Sequence, residues 1–394
     1  NAFFPRRKIS YRNEKTTFFK FRKIIGVVVK IILLSPASSI HTVQWAKYLS
    51  ELGLDVHVIS QHLASQDFPQ QITIHILPFK GFMGYFLNVF ALKKLLKEIK
   101  PDILNVHYAS GYGTTARLAN FHPYVLSVWG SDVFEFPYRS LFHKKLLQQN
   151  LNTADVIAST SLTMAKQTQL FVGHKKIEIT PFGVNLEKFN PTNFVQDINV
   201  QTICIGTIKT LKHVYGIDIL LNALSIVYKD IKIEFPQIAN RLNFRIVGGG
   251  ADMHELKKLA VELGIDHLTH FTGAVSHEEV PAELNRLDIY VALSRQESFG
   301  VAVVEAQAMG VPVVVSNVGG LPEVVKNGQT GFIVESENPQ QAADMMKKLI
   351  LDMELRNSMS VEARQFVHSH FSWPSCAKKM SQVYQNTLKI FKVR

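Results

Sequence analysis

The chain has 394 residues, of which 46% are hydrophobic and 19% charged. This length suits two domains with separate cores, and the composition excludes an intrinsically disordered protein. Its two cysteines, Cys204 and Cys376, form neither a disulfide framework nor a metal-binding spacing, which favours a reducing cytoplasm. The most apolar run, residues 24–34, is interrupted by Lys30 and falls short of the roughly 20 residues that a membrane-spanning helix needs.

The net charge of +11 is distributed unevenly. Residues 1–190 contain 23 Lys and Arg against 11 Asp and Glu, whereas residues 191–394 contain 20 against 21. Nucleic acid could pair with such a basic half, but no nucleic-acid-binding motif accompanies the charge, so we expect none to bind. The inner face of a bacterial cytoplasmic membrane is the other anionic partner, and we expect peripheral association with it.

The first half begins with a basic leader, residues 1–29, which is either a truncated end or an arm that contacts a membrane. Short apolar runs then alternate with helical patterns, as is typical of βαβ units. The strands predicted here are Ile31–Ser35, Asp55–Ser60, Ile72–Leu77, Ile103–Val106, Val125–Val128, Val156–Ser159 and Ile177–Thr180.

Residues 79–97 combine large apolar side chains with a lysine cluster, Lys93, Lys94 and Lys97. This combination is typical of a helix that lies in a membrane interface. A half-buried helix whose lysines face water would give the same pattern. Both interpretations stay open.

Ligands of parallel sheets bind beyond the carboxyl ends of the strands, so the loops that follow strands are the candidate sites. Ser38 and His41 follow the first strand, and His107 follows the fourth. Trp129 and Asp132 follow the fifth. We expect these loops to face one cleft.

A stretch of linker character, residues 190–197, separates the halves. The second half then repeats the alternation, which predicts a second parallel sheet. Its predicted strands are Thr202–Ile205, Asn243–Val247, Leu268–Thr272, Ile289–Leu293, Val311–Val315 and Phe332–Val334.

Two loops of the second half have features suited to phosphate. Gly206 and Thr207 open a loop that continues to Lys209 and Lys212, whose ammonium groups could neutralise a diphosphate or could merely be solvated. Residues 248–250 are a glycine cluster between a strand and a helix, which alone is weak evidence for a nucleotide site.

The run from Glu297 to Glu305 places two acids eight residues apart around Gly300, at a predicted strand-to-helix junction. Amides at the start of a helix have no intrahelical acceptor and favour an anion such as phosphate. Glu305 falls in an apolar helix, where a buried carboxylate needs hydrogen-bonding partners such as ligand hydroxyls.

Residues 297–325, ESFGVAVVEAQAMGVPVVVSNVGGLPEVV, resemble the signature of the family-4 retaining glycosyltransferases of GT-B fold. The resemblance runs from about residue 31 to the end and is most specific over residues 286–333. It implies an α/β protein with two Rossmann-like parallel-sheet domains facing a central cleft. The implied boundaries are an acceptor-binding domain over 1–192, a nucleotide-sugar domain over 193–370 and a helix over 371–394 that crosses back.

The resemblance also implies roles in the second domain. Glu297 would approach the donor sugar, Glu305 would hold the ribose hydroxyls, and the amides of Ser298, Phe299, Gly300 and Val301 would take the diphosphate. Gly206, Thr207, Lys209 and Lys212 would lie near the same phosphates, although the family usually has Arg and Lys at the places of Thr207 and Tyr215. Gly248 and Gly249 would lie over the nucleotide, and the segment beginning at Val275 would contact the base.

In the first domain, Ser38, His41 and Trp129 would line the acceptor side of the cleft. Many relatives have a His where Trp129 stands, and that His touches the reacting sugar. Asp132 or His107 is expected to take part of that role, or His107 is a hydrogen-bonded core histidine at a strand end.

The expected activity is a metal-independent, retaining transfer of a sugar from a UDP- or GDP-linked donor to a glycan or lipid-linked acceptor, as in cell-surface polysaccharide or glycolipid synthesis. No cofactor is expected. A GT-B sugar-nucleotide epimerase and a non-catalytic nucleotide-sugar-binding protein are the alternatives.

Overall fold

The computed structural model describes residues 28–194 and 202–393. The leader, apart from its last two residues, and part of the predicted linker lie outside these ranges. The described residues form two parallel sheets, which confirms the predicted α/β fold with two Rossmann-like domains.

The sheet of the first domain has seven strands in the order β3-β2-β1-β4-β5-β6-β7, and that of the second has six in the order β10-β9-β8-β11-β12-β13. Every strand predicted from the sequence is present. The strands are β1 Lys30–Leu34, β2 Asp55–Ser60, β3 Thr73–Ile76, β4 Ile103–His107, β5 Tyr124–Val128, β6 Val156–Ser159, β7 Ile177–Ile179, β8 Ile203–Ile208, β9 Leu242–Val247, β10 Thr269–Gly273, β11 Ile289–Ala292, β12 Val313–Ser316 and β13 Gly331–Val334.

Helices cover both faces of each sheet, so the central strands are apolar along their whole length rather than alternating. All four residues of β11 and of β12 are buried, for example. The helices are α1 Ile40–Glu51, α2 Gly81–Leu87, α3 Val89–Ile99, α4 Gly111–Ala119, α5 Ser131–Phe134, α6 Leu141–Thr153, α7 Leu162–Val172, α8 Ile217–Glu234, α9 Pro236–Ala239, α10 Met253–Glu262, α11 Val280–Asn285, α12 Val301–Ala308, α13 Pro339–Leu351, α14 Met353–His370 and α15 Trp373–Val393.

Helix α15 packs on α1 of the first domain although it follows the second domain in the chain. The ring of Trp373 meets that of Trp45 edge to face, with centroids 5.1 Å apart, and stacks on Tyr48 at 6.0 Å. Further along α15, the Tyr384 hydroxyl donates a 2.7 Å hydrogen bond to Asn105 Oδ1 in β4. The aromatic side chains of α15 therefore complete the core of the first domain.

Residues 79–97 form two helices, α2 and α3, rather than one. Asn88 separates them, and its side chain donates to the carbonyl of Phe79 at 2.8 Å and accepts from the Phe79 amide at 3.0 Å. Five large hydrophobic side chains of this segment are exposed: Phe79, Phe82, Met83, Leu87 and Phe90. Of residues 28–194 and 202–393, no helix is both long and apolar enough to span a bilayer.

Candidate functional site

A cavity of about 380 Å³ opens at the carboxyl ends of the second sheet. It lies where ligands of parallel sheets bind. Residues from β8, the glycine cluster, α11 and α12 line it: Ile208, Lys209, Thr210, Tyr215, Val247, Gly248, Gly249, Ala274, Val275, Val280, Leu284, Ala302 and Glu305.

Lys209, which lines this cavity, forms an ion pair with Glu297. The ammonium of Lys209 lies 2.5 Å from Glu297 Oε2, and the two side chains are only 16% and 14% exposed. Burial alone would lower the pKa of Lys209, but the nearby Glu297 carboxylate outweighs burial and raises that pKa. The Lys209 ammonium also lies 4.5 Å from the ring centroid of Tyr215. The site therefore keeps a positive charge next to a carboxylate at low solvent exposure.

The start of α12 presents free backbone donors beside this pair. Gly300 is the N-cap, and no side chain caps the helix. Across the described ranges, the amides of residues 298–301 donate to no other protein group. Such donors, together with the partial positive charge of a helix start, suit an anionic ligand.

Glu305 lies one turn into α12 and lines the cavity. Its Oε1 atom is 3.1 Å from His277 Nε2, and His277 Nδ1 accepts from the ammonium of Lys188 at 2.9 Å. Lys188 also pairs with Glu278 at 2.8 Å. A chain of polar contacts thus leads from the end of the first domain to the glutamate that the sequence assigns to ribose.

The other second-domain residues predicted for the site fall into two groups. Gly248, Gly249 and Val275 line the cavity. At Gly248, where φ is +145°, a Cβ atom would lie 1.8 Å from the Lys209 carbonyl oxygen, so only glycine fits. Gly206 and Thr207 lie inside β8 and are buried.

Lys212 is exposed and does not line the cavity, unlike Lys209. Of the two lysines predicted for a diphosphate, the structure therefore brings only Lys209 to the site. Phe299 is one of the residues whose backbone amides are predicted to bind the diphosphate. Its side chain is buried, and its ring meets that of Phe182 edge to face, with centroids 6.1 Å apart.

In the first domain, the predicted cleft residues gather around Trp129. His41 stacks on Phe182 at 4.0 Å, and both rings approach Trp129 edge on, at 5.9 and 5.2 Å. Burial, with a smaller contribution from His277, lowers the pKa of His41 to about 4, so its imidazole is neutral at neutral pH. Tyr108, which has a φ of +70°, packs on another edge of Trp129 at 5.1 Å. These rings form an aromatic cluster in which Trp129 and Phe182 are buried, and Ser38 lies exposed in the turn before α1.

His107 lies beneath Trp129 and not in the cleft. It is fully buried, with its ring 4.4 Å from that of Trp129. Its Nδ1 atom bonds Ser35 Oγ at 2.8 Å and its Nε2 atom bonds Asn105 Oδ1 at 3.1 Å. Burial lowers its pKa to about 3. His107 is therefore a hydrogen-bonded core histidine, which corrects its expected catalytic role.

Asp132 is also buried, with 1% of its surface exposed. Its carboxylate accepts from the amides of Ala109, Trp129 and Gly130 at 2.8 to 3.1 Å. Burial raises the pKa of Asp132, and these amide donors oppose that shift. The contacts correct its expected role too, because Asp132 is buried and its carboxylate holds the loop that carries Trp129.

Three residues that contact the site or its loops were not predicted from the sequence: Lys188, Phe182 and Glu323, whose carboxylate accepts from the amides of Leu162 and Thr163. Lys188 belongs to the segment before the linker, and Glu323 follows the Gly319–Gly320 turn. Phe182 carries no sequence signal that distinguishes it from a core residue. Within residues 28–194 and 202–393, no group of three His, Cys, Asp or Glu side chains could hold a metal ion.

Comparison with known proteins follows the two-domain division. Residues 190–366 match the family model for glycosyl transferases group 1, and residues 30–161 match that for glycosyl transferase 4-like proteins. The chain is 30% identical over 365 residues to a D-inositol 3-phosphate glycosyltransferase of Corynebacterium urealyticum, covering 85% of this chain and 82% of that protein.

An uncharacterized glycosyltransferase of Methanocaldococcus jannaschii is 26% identical over 354 residues, which cover 88% of this chain and 93% of the other. Among solved structures, HepE of Anabaena in complex with UDP and glucose superposes with a TM-score of 0.70 at 18% identity, covering 91% of this chain and 100% of HepE. The likeness to HepE extends over both domains.

Proposed function

Because this chain belongs to the group 1, family-4 glycosyltransferases of GT-B fold, we propose that it transfers a sugar with retention from a UDP- or GDP-linked donor to a glycan or lipid-linked acceptor. Its glycosyltransferase activity follows from the family. The identities of the donor and acceptor, the stereochemistry and the independence from metal are the parts proposed.

The observation that carries the proposal is that Lys209, which lines the cavity, pairs with Glu297, the residue directly before the free amides of residues 298–301. Departure of a nucleoside diphosphate leaves negative charge on the β-phosphate. The Lys209 ammonium and the helix-start amides can stabilise that charge without a metal. Glu305, already bonded to His277 at the cavity wall, suits the two ribose hydroxyls. The complex of HepE with UDP supports a nucleoside diphosphate as the ligand.

Glu297 would meet the sugar ring, because it lies beside the position proposed for the diphosphate and is held by Lys209. The acceptor would approach from the first domain, along the exposed loop that contains Ser38 and lies next to the aromatic cluster around Trp129. With the buried Asp132 and His107 excluded, same-face attack by the acceptor needs no carboxylate nucleophile from the first domain. Contact between the domains would exclude water and limit hydrolysis of the donor.

An anionic membrane is the proposed location of the acceptor. The exposed apolar side chains of residues 79–90 lie beside exposed Lys80, Lys93, Lys94 and Lys97. Apolar side chains can enter the headgroup region while each lysine near an anionic surface contributes about 1 kcal/mol. The two helices separated at Asn88 would present this surface without crossing the bilayer.

Incubation with a panel of UDP- and GDP-sugars, with extracted glycans and glycolipids as acceptors, tests the proposal. Released nucleoside diphosphate together with a new glycosidic product is the expected result. Interconversion of the nucleotide sugar without transfer would identify an epimerase. Nucleotide binding without any turnover would identify a binding protein.

A further inference from the structure

A carboxylate of the second domain caps a helix of the first domain. Glu323 Oε2 accepts from the Leu162 amide at 2.6 Å, and Oε1 accepts from the Thr163 amide at 2.7 Å. These are the first two residues of α7. Helix starts have unpaired amides and a partial positive charge, so a carboxylate there forms strong charge-assisted hydrogen bonds.

The charge of Glu323 has no other partner nearby. Among the residues that the structure describes, no Lys, Arg or His forms an ion pair with it. The side chain is partly buried, which makes an unpaired carboxylate costly. The start of α7 therefore supplies the stabilisation that a cation would otherwise give.

Two more hydrogen bonds join the same surfaces. The Thr163 hydroxyl donates to the Gly319 carbonyl at 2.8 Å, and the Ser161 hydroxyl donates to the Ser298 carbonyl at 2.7 Å. Ser161 is also the N-cap of α7, accepting from the Met164 amide at 3.1 Å. Four hydrogen bonds thus connect one helical turn to two loops of the second domain.

Those two loops are themselves in close contact. The Gly320 amide donates to the Glu297 carbonyl at 2.9 Å. At Gly319, where φ is +54°, a Cβ atom would lie 1.7 Å from that carbonyl oxygen, so no larger residue fits without moving the loop. The turn that precedes Glu323 is therefore packed directly against the backbone of Glu297.

We propose that Glu323 is a positioning residue that locks the first turn of α7 onto the second domain and thereby fixes the loop carrying Glu297. The inference rests on the proposed function for its kinetic consequence, but the lock itself is a contact between domains. Loss of the lock would slow the step that needs both domains together and would weaken nucleotide binding less, because Lys209 and Glu305, which line the cavity, are not part of the lock.

The backbone donor can be removed selectively. Leu162 is the first helical residue, where proline is well tolerated, and its side chain is 57% exposed. Ser161 before it has φ −148° and ψ 159°, the extended conformation that precedes proline. Leu162→Pro deletes the amide that Glu323 Oε2 accepts from, and Leu162→Ala is the matched control, since it trims the same side chain and keeps the amide.

We expect Leu162→Pro and Glu323→Ala each to lower kcat about tenfold or more, the effect of losing a charge-assisted hydrogen bond, while Leu162→Ala stays within about twofold of wild type. The Kd for UDP or GDP, whichever binds the wild type more tightly, should rise by a smaller factor than kcat falls in Leu162→Pro and Glu323→Ala, and should stay within about twofold in Leu162→Ala. Because the hydrogen bond that Leu162→Pro deletes is one of the two that Glu323→Ala removes, the double variant should be no slower than Glu323→Ala alone. Equal kcat in the proline and alanine variants, or effects that multiply in the double variant, would overturn the proposal.

Hydrogen exchange gives a reading that needs no turnover. The amides of Leu162 and Thr163 should be protected in wild type and exchange faster in Glu323→Ala, with α8 of the second domain unchanged as the internal reference. Exchange that is equally slow in both proteins would refute the lock. If wild type consumes no nucleotide sugar but the exchange difference is present, the proposed function fails and the lock stands.

Discussion

Replacing Glu297 with Gln should affect stability and turnover by separable amounts. The change keeps the shape of the side chain and removes its charge, which leaves the Lys209 ammonium without a counter-charge at 16% exposure. Breaking a buried ion pair by removing one partner costs about 3–5 kcal/mol, and the residual exposure of this pair places the expected loss near the lower end, about 3 kcal/mol. If the transition state loses the same amount of stabilisation, about 3 kcal/mol, kcat should fall about a hundredfold.

The double variant Glu297→Gln with Lys209→Met separates the two effects. Removing both charges relieves the unpaired ammonium, so most of the lost free energy of unfolding should return, because a buried pair is often replaced by uncharged groups at little cost. Turnover should not return, since both groups proposed to act on the donor are then absent. Urea unfolding followed by fluorescence measures the first quantity, and release of nucleoside diphosphate measures the second.

The single variant should also acquire a new pH dependence. Glu297 holds the pKa of Lys209 above its usual value, against the opposing effect of burial. Without Glu297, burial is opposed only by Tyr290 and Tyr215, so the pKa of Lys209 falls and nucleoside diphosphate binding weakens at a lower pH than in wild type. A folded Glu297→Gln protein with wild-type kcat, stability and pH profile would refute the assignment of this pair.

Three further outcomes are expected. Glu305→Gln should raise the Kd for the nucleoside diphosphate by about tenfold with a smaller change in kcat, as measured by calorimetry and steady-state kinetics. The pKa of His107 is about 3 when folded, against 6.5 ordinarily, so the unfolded chain takes up the proton first and stability is lost as pH falls from about 6.5 towards 3. This loss is about 2 kcal/mol between pH 7 and pH 5, and urea unfolding at both values should show it reduced in His107→Gln. Replacing Lys93, Lys94 and Lys97 with Gln should release the protein from anionic vesicles at low salt without changing nucleotide binding, and equal co-sedimentation would argue for a soluble acceptor.

The fold could be predicted from the sequence because each central strand is a short run of β-branched and aliphatic residues. β12 is three valines followed by a serine, buried on both faces. Helix boundaries were harder to predict. The split between α2 and α3 depends on Asn88 bonding the backbone of Phe79, which apolar periodicity does not indicate.

The site could be predicted where one local motif supplies it, as with Glu297, Glu305 and the amides between them. The site could not be predicted where the sequence does not show whether a polar residue near a strand end faces the cleft or the core. His107 is the last residue of β4 and Asp132 follows β5, but Trp129 covers His107 and converging amides enclose Asp132. Glu323 was missed because its partners in α7 lie about 160 residues away in the chain.

Helix α15 has a consequence for the order in which the chain is assembled. The first domain has its sheet by residue 179, yet Trp45 and Asn105 obtain their partners Trp373 and Tyr384 only from residues beyond the second domain. A ribosome synthesises the whole second domain in between, and N-terminal domains ordinarily fold as they emerge. Here the first domain leaves the ribosome with one side of its core uncovered. That core is completed only after the second domain has been synthesised.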